Sequence, residues 1–172
     1  IDHLLDGDGP LADESDDDAG LLLSGFAHLG PRLQKVEHFS FYKGVTVITP
    51  NHLEATQAAG VHGDDDHTIN EAGTILRQRL GCHTVLITRG EKGMSLYEGN
   101  GVHWHIPTRA RQVYDVTGAG DTVVGTLALA LSTGASMREA AVLANQAAGV
   151  VVGMVGTATV TASQLSDALE HG

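Results

Sequence analysis

Two aspartates bracket a run of small residues at 115–121, Asp-Val-Thr-Gly-Ala-Gly-Asp, and an apolar stretch follows at once in residues 122–131. Gly118 and Gly120 flank Ala119 where that stretch begins a helix. Glycine lets the chain turn sharply and lets a ligand approach the backbone with no Cβ in the way. The first amides of a helix lack intrahelical acceptors and carry the positive end of its dipole, so Gly118, Ala119 and Gly120 together suit an anion such as phosphate. Asp121 then falls in the first helical turn. A carboxylate beside an anion hole would repel a merely bound phosphate. It suits a base that takes a proton from an attacking hydroxyl while the amides stabilise the transferring phosphoryl group. On the residues alone the alternative stays open that Asp121 only complements the helix dipole and the glycines only close a strand–helix turn.

Two other phosphate motifs are excluded. No G-x-x-x-x-G-K-[ST] occurs, and the dinucleotide fingerprint G-x-G-x-x-G fails because Val123 stands at its third glycine. Asn51 and Glu54 have the spacing of a capping box. Gly90 and Gly93 read as hairpin residues, and Asn145 as a polar position facing water. His103 and His105 would share one face of a strand, as metal ligands do, but no third ligand is apparent, and Trp104 between them reads as core. His62 and His67 around the Asp64–Asp66 run read as a solvated loop. Residues 1–20 hold eight Asp or Glu and no Lys or Arg, the mark of a solvated acidic arm, with an acidic metal site as the alternative.

The elements that must position these groups are legible from residue 42 onward. Residues 45–49 (VTVIT) form a β-branched run stopped by Pro50, and residues 84–88 (TVLIT) form a second buried strand. Thr68 and Glu71 have capping-box spacing, with Ile69, Ala72, Leu76 and Leu80 on one helical face before Gly81. Residues 94–97 and 102–106 read as strands separated by the turn EGNG. Val124, Leu127, Ala128 and Leu131 trace a stripe after Asp121. Ser136 and Glu139 cap a further helix, whose alanines recur at helical spacing up to Val151, and Thr161 with Gln164 starts a last short one. Residues 20–34 show no clean period. The order of elements predicts an α/β layered domain, and the scarcity of aromatics, 4% of residues, suits helices packed closely on a sheet.

A net charge of −11 argues against a phosphate-backbone partner, so nucleic acid is not expected. No apolar run nears the roughly 20 residues that span a bilayer, and no signal peptide is visible at the start. Cys82 is the single cysteine. The expectation is a soluble cytoplasmic protein without a membrane partner.

The string DVTGAGD closely resembles the D-[TV]-[TV]-G-A-G-D signature of the ribokinase-like (PfkB) carbohydrate kinases. Further stretches are similar to family segments and occur in the family's order. TPNHLE (49–54) is similar to the segment carrying N-x-x-E, and TRGEKG (88–93) to the T-x-G-x-x-G turn bordering the nucleotide. ANQAAGVVVGMVGTATV (144–160) is similar to the helix and loop that enclose adenine and a monovalent cation. Within the family, QVYDVTGAGDTV, AAGVVVGMVGTATV and HFSFYKGVTVITPN most resemble the branch that phosphorylates D-glycero-β-D-manno-heptose 7-phosphate, in the ADP-heptose pathway feeding lipopolysaccharide. The resemblance covers residues 38–170.

This resemblance implies a three-layer α/β/α ribokinase-like (Rossmann-like) fold, of which the chain holds the C-terminal nucleotide-binding part. It divides the chain into an atypical acidic segment, 1–37, partly disordered, and a nucleotide-binding and catalytic part, 38–172. It implies ATP and a sugar phosphate as substrates, magnesium, and potassium as the monovalent cation. Asp121 would be the base, and Gly118, Ala119 and Gly120 the anion hole. Thr88, Gly90 and Gly93 would lie along the nucleotide, and Asn145 near adenine. Asn51 and Glu54 would organise magnesium and its waters. Asp115 would help hold the monovalent cation, with Gly156 in the loop on its other side. A complete family domain is nearly twice this length, and its N-terminal half supplies most sugar contacts. Residues 14–37 lack the strand expected there. Uncovered sheet and apolar surface would favour self-association or pairing with the missing N-terminal kinase half, and half a site would be slow or inactive.

Overall fold

The computed structural model describes residues 26–27, 42–99, 101, 103–108, 116–154, 156 and 158–171. Among the described residues five strands form one sheet in chain order: β1 (Phe26–Ala27), β2 (Val47–Ile48), β3 (Thr84–Thr88), β4 (Met94–Tyr97) and β5 (His103–Ile106). β1, β2 and β3 run parallel, β4 is antiparallel to β3, and β5 is antiparallel to β4. β1 lies in the stretch where the sequence shows no period. It pairs Phe26 with Val47 and Ala27 with Ile48, before the boundary expected at residue 38. β2 is shorter than the β-branched run suggests, because Thr49 and Pro50 already leave the ladder.

Among the described residues there are five α-helices, α1 (His52–Ala59), α2 (Asp66–Leu80), α3 (Ala119–Ser132), α4 (Met137–Val151) and α5 (Ala162–His171), of which the first four pack on the sheet and α5 on α4. On one face Ile48, Val85 and Ile87 meet Ala55 of α1 and Ile69 and Leu76 of α2. On the other, Val47, Leu86 and Leu96 meet Val123 and Leu127 of α3 and the alanines of α4. Alternate residues of each strand thus feed opposite cores, as the two-residue side-chain period requires. This is a three-layer α/β/α arrangement. Each fully buried Leu, Ile or Val contributes about 1.5–3 kcal/mol through water exclusion.

Three local expectations are corrected. Thr68 does not cap α2. The cap is Asp65, whose Oδ1 accepts the Thr68 N–H at 2.9 Å and whose Oδ2 accepts the Thr68 hydroxyl at 2.9 Å. A carboxylate three residues upstream is the better acceptor for that orphan amide, so the helix starts earlier. The buried stripe of α3 keeps the expected Leu127 but joins it to Val123 and Ala130, while Val124, Ala128 and Leu131 are only half-buried. Trp104 is not core: on β5 only Ile106 is buried, while Trp104 is 36% exposed beneath the Arg138 guanidinium, 5.9 Å from its ring centroid. Arg138 is held there by the Glu98 carboxylate at 2.8 Å.

The expected boxes at Ser136–Glu139 and Thr161–Gln164 both form. Ser136 N–H donates to Glu139 Oε2 at 2.8 Å, and Thr161 N–H donates to Gln164 Oε1 at 2.9 Å. No helix of the described residues is long and apolar enough to cross a membrane.

Candidate functional site

Beyond Thr88 the chain leaves the sheet, makes a single 3-10 turn at Gly90–Lys92, and re-enters at Met94. The turn closes on itself, with Arg89 N–H donating to Gly93 O at 2.8 Å and Gly93 N–H to Gly90 O at 3.0 Å. Gly93 is required twice over. Its φ is +80°, and a Cβ there would collide with the Ile106 carbonyl oxygen and the backbone of Pro107 and Thr108. The absence of a side chain brings residues 106–108 against the turn.

Opposite stands the amino end of α3. Gly118 is its N-cap with φ +82°, a left-handed conformation that suits glycine, and no side chain caps the helix there. The Ala119 N–H is taken by Val116 O at 3.2 Å, so this amide is not open to a ligand. The first helical bond runs from Thr122 N–H to Gly118 O at 2.9 Å. Among the described residues no main-chain carbonyl receives the Gly120 N–H. Asp121 follows at the third helical position and is exposed.

The third wall is α4. Asn145 does not face water: it is 5% exposed, and its Nδ2 donates to Pro107 O at 2.9 Å. Ala148, Gly149 and Val152 continue that wall at helical spacing. The three walls enclose a cavity of about 460 Å³ lined by Thr88, Gly90, Gly93, Ala119, Gly120 and Asn145 among others. Six residues expected at a nucleotide site thus share one cavity, although they come from positions 88 to 145. Its size is that of small-molecule pockets, and its lining is largely apolar with a few polar groups. The exposed Val116 is on its rim, a residue the sequence did not single out.

Asn51 and Glu54 lie beside this cavity through the main chain. Asn51 bridges to Thr88, and Thr88 N–H donates to Pro50 O at 2.9 Å. The two side chains form a full capping box: Glu54 N–H donates to Asn51 Oδ1, and Asn51 N–H to Glu54 Oε2, each at 2.9 Å. The bland reading of this pair is therefore realised in the fold. It also fits magnesium, since the cap engages Oε2 and a carboxylate presents further lone pairs to a hard cation that keeps its waters. Asp115 lies outside the described residues. Gly156 sits half-buried in the loop after α4 with φ +79°. Among the described residues no cluster of three or more His, Cys, Asp or Glu is arranged for a metal, His103 and His105 included.

Comparison with known proteins agrees with this architecture. The family of pfkB family carbohydrate kinases matches residues 26–164, and the chain belongs to that family. Its fold is ribokinase-like: the ribokinase of Thermotoga maritima superposes with a TM-score of 0.73 at 25% identity, over 85% of this chain and 48% of that one. An Arabidopsis thaliana ribokinase complexed with ribose and ATP superposes with a TM-score of 0.71 at 22% identity, over 91% of this chain and 60% of that one.

In sequence, the bifunctional protein HldE of Proteus mirabilis is 50% identical over 135 residues, which is 78% of this chain and 28% of that protein. The bifunctional protein HldE of Syntrophotalea carbinolica is 44% identical over 137 residues, 80% of this chain and again 28% of the relative. The chain thus spans little more than a quarter of the length of the curated relatives it matches.

Proposed function

We propose that this chain carries the nucleotide side of an ATP-dependent sugar kinase, and that the acceptor is a sugar phosphate, D-glycero-β-D-manno-heptose 7-phosphate, in ADP-heptose and lipopolysaccharide synthesis. The observation that carries the reading is the single cavity holding Thr88, Gly90, Gly93, Ala119, Gly120 and Asn145. The acceptor rests on the likeness of residues 112–123 and 147–160 to heptose-phosphate kinases, together with 50% identity to a bifunctional HldE protein. Residues 38–172 form the nucleotide-binding and catalytic part in this reading, with Phe26–Ala27 adding an edge strand from the acidic segment. The setting is the cytoplasm, and the acceptor side comes from a partner half or a second copy.

In the mechanism, the nucleotide base lies between the 88–93 turn and the α4 wall at Asn145. Its terminal phosphate meets the amino end of α3. Of the anion hole read from the sequence, Gly120 offers its amide and Gly118 the turn. Ala119 contributes a small side chain, because Val116 holds its N–H. Asp121 takes the proton from the acceptor hydroxyl as its oxygen bonds to the γ-phosphorus and the bond to ADP breaks. Asn51 and Glu54 would hold magnesium and its waters, which would supply charge neutralisation for the phosphates. Potassium near Asp115 and Gly156 belongs to this reading by resemblance alone and carries no step.

Asp121→Asn decides the chemistry. With the N-terminal kinase half supplied, ADP release is measured with and without heptose 7-phosphate in magnesium and potassium buffer. Sugar-dependent release that falls about 10²–10⁴-fold in the variant, with nucleotide affinity retained, is the expected result. Unchanged turnover removes Asp121 from the mechanism. A second reading, a nucleotide-binding module without catalysis, is favoured by the Asn51–Glu54 capping box and by the chain's short span of its relatives. Nucleotide binding without sugar-dependent ADP release would establish it.

A further inference from the structure

The 90–93 turn is held by few side chains: its Gly93 backbone lies against residues 106–108, and Lys92 Nζ stands 3.6 Å from Asp64 Oδ2. Gly90 and Gly93 carry no side chains, and Glu91 and Lys92 are exposed. Behind the turn lies a second cavity, of about 530 Å³, lined by Asp65, Asp66, Arg89, Lys92 and His105. Glu91 and Thr108 line both cavities, so the turn is a thin wall with open space on each side.

Arg89 braces this wall from the side of the second cavity. Among the described residues it is the one buried charged residue, 7% exposed. Its Nη2 donates to Asp66 Oδ1 at 2.5 Å, at the first residue of α2, and its Nη1 to Ser95 Oγ on β4 at 3.3 Å. Its own main chain closes the turn: its N–H donates to Gly93 O at 2.8 Å, and its carbonyl accepts the Lys92 N–H at 3.1 Å. A hairpin needs no buried guanidinium, and burying one is costly unless it is paired. The side chain ties the turn to two rigid elements that do not themselves line the nucleotide cavity at these residues.

We infer that Arg89 is a positioning residue: its fork to Asp66 and Ser95 holds the 90–93 wall in the shape that receives the nucleotide. This rests on the nucleotide reading of the neighbouring cavity, so its test has one arm that needs no nucleotide.

The full chain is compared as wild type, Arg89→Met, Arg89→Lys and Asp66→Asn. Asp66 is exposed, so its variant keeps the fold even where loss of Arg89 does not. In the first arm, amide hydrogen exchange of the ligand-free protein is read at Lys92 and Gly93. Both Arg89→Met and Asp66→Asn speed this exchange about tenfold while the α4 amides at 140–147 keep their protection, and Arg89→Lys lies between. In the second arm, calorimetric titration with MgADP gives a Kd about tenfold weaker in Arg89→Met and Asp66→Asn, partly restored by lysine. Unchanged exchange in both variants overturns the tether. So does acceleration spread equally over α4, which marks general loosening. A loosened turn with unchanged Kd overturns the positioning role. If wild type takes up no MgADP, the nucleotide reading falls, and the exchange arm alone decides the tether.

Discussion

The two fifteen-residue helices on opposite faces of the sheet, α2 and α4, bury different side chains. On the α1/α2 face, α2 buries Ile69, Leu76 and Leu80 against Ile48 and Ile87 of the sheet, while α1 contributes Ala55, Ala58 and Ala59. The α3/α4 face sets Leu86, Leu96 and Leu127 against Ala140, Ala141 and Ala144 of α4. Alanines let a helix backbone come close to the sheet, so the far end of α4, at Asn145 and Gly149, reaches the 88–93 turn and closes a cavity. One face supplies stability, and the other spends some of its packing on a site.

This contrast can be broken from either side. Leu76→Ala, on the face without the site, removes a fully buried side chain and costs about 2–5 kcal/mol in denaturant unfolding. MgADP affinity of the folded protein stays at the wild-type value. A Kd weakened in step with stability would mean that the faces are not independent. Ala144→Leu, on the other face, overpacks α4 against the sheet and costs about 1–3 kcal/mol. Although it is the smaller change in stability, it weakens MgADP binding, because the wall beginning at Asn145 is displaced. Unaltered binding would separate α4 packing from the cavity.

The smallest effect is at the start of α4. The Ser136 hydroxyl and N–H donate to the Glu139 carboxylate and hold its pKa below the usual value. A carboxyl whose pKa is depressed on folding stabilises above its unfolded pKa, and that contribution is lost as pH falls through the lower folded value. Protection of the first α4 amides is therefore constant near neutrality and declines in acid below the ordinary glutamate range. Ser136→Ala weakens this pH dependence, because only the main-chain N–H still donates to Glu139. A variant with the same acid profile as wild type would show that the box does not hold the helix end.

Much of the site was legible because its determinants are local. The 118–121 string needs only its glycines and the helix that follows, and Asn51 with Glu54, or Ser136 with Glu139, declare themselves at three-residue spacing. Strands β3 and β4 show as short apolar runs with glycine or proline near their ends. What escaped is long-range or too short. β1 is two residues long, which gives no period to detect. Arg89 finds Asp66 across 23 positions, and Asn145 finds Pro107 across 38, so neither partner is written beside it. Trp104 reads as core because it is large and apolar, yet an edge strand leaves it to be covered by a cation instead. Asp65 competes with Thr68 for the same cap, and the acidic run conceals which of its members acts.

The central claim is that one cavity between the 88–93 turn, the amino end of α3 and the wall of α4 receives ATP. Amide exchange of the full chain with and without MgATP measures this directly. The account expects protection at Gly90–Met94, at Gly120 and at 145–152, with β5 and α5 unchanged. Protection confined to other segments, or no change at saturating MgATP, would contradict it.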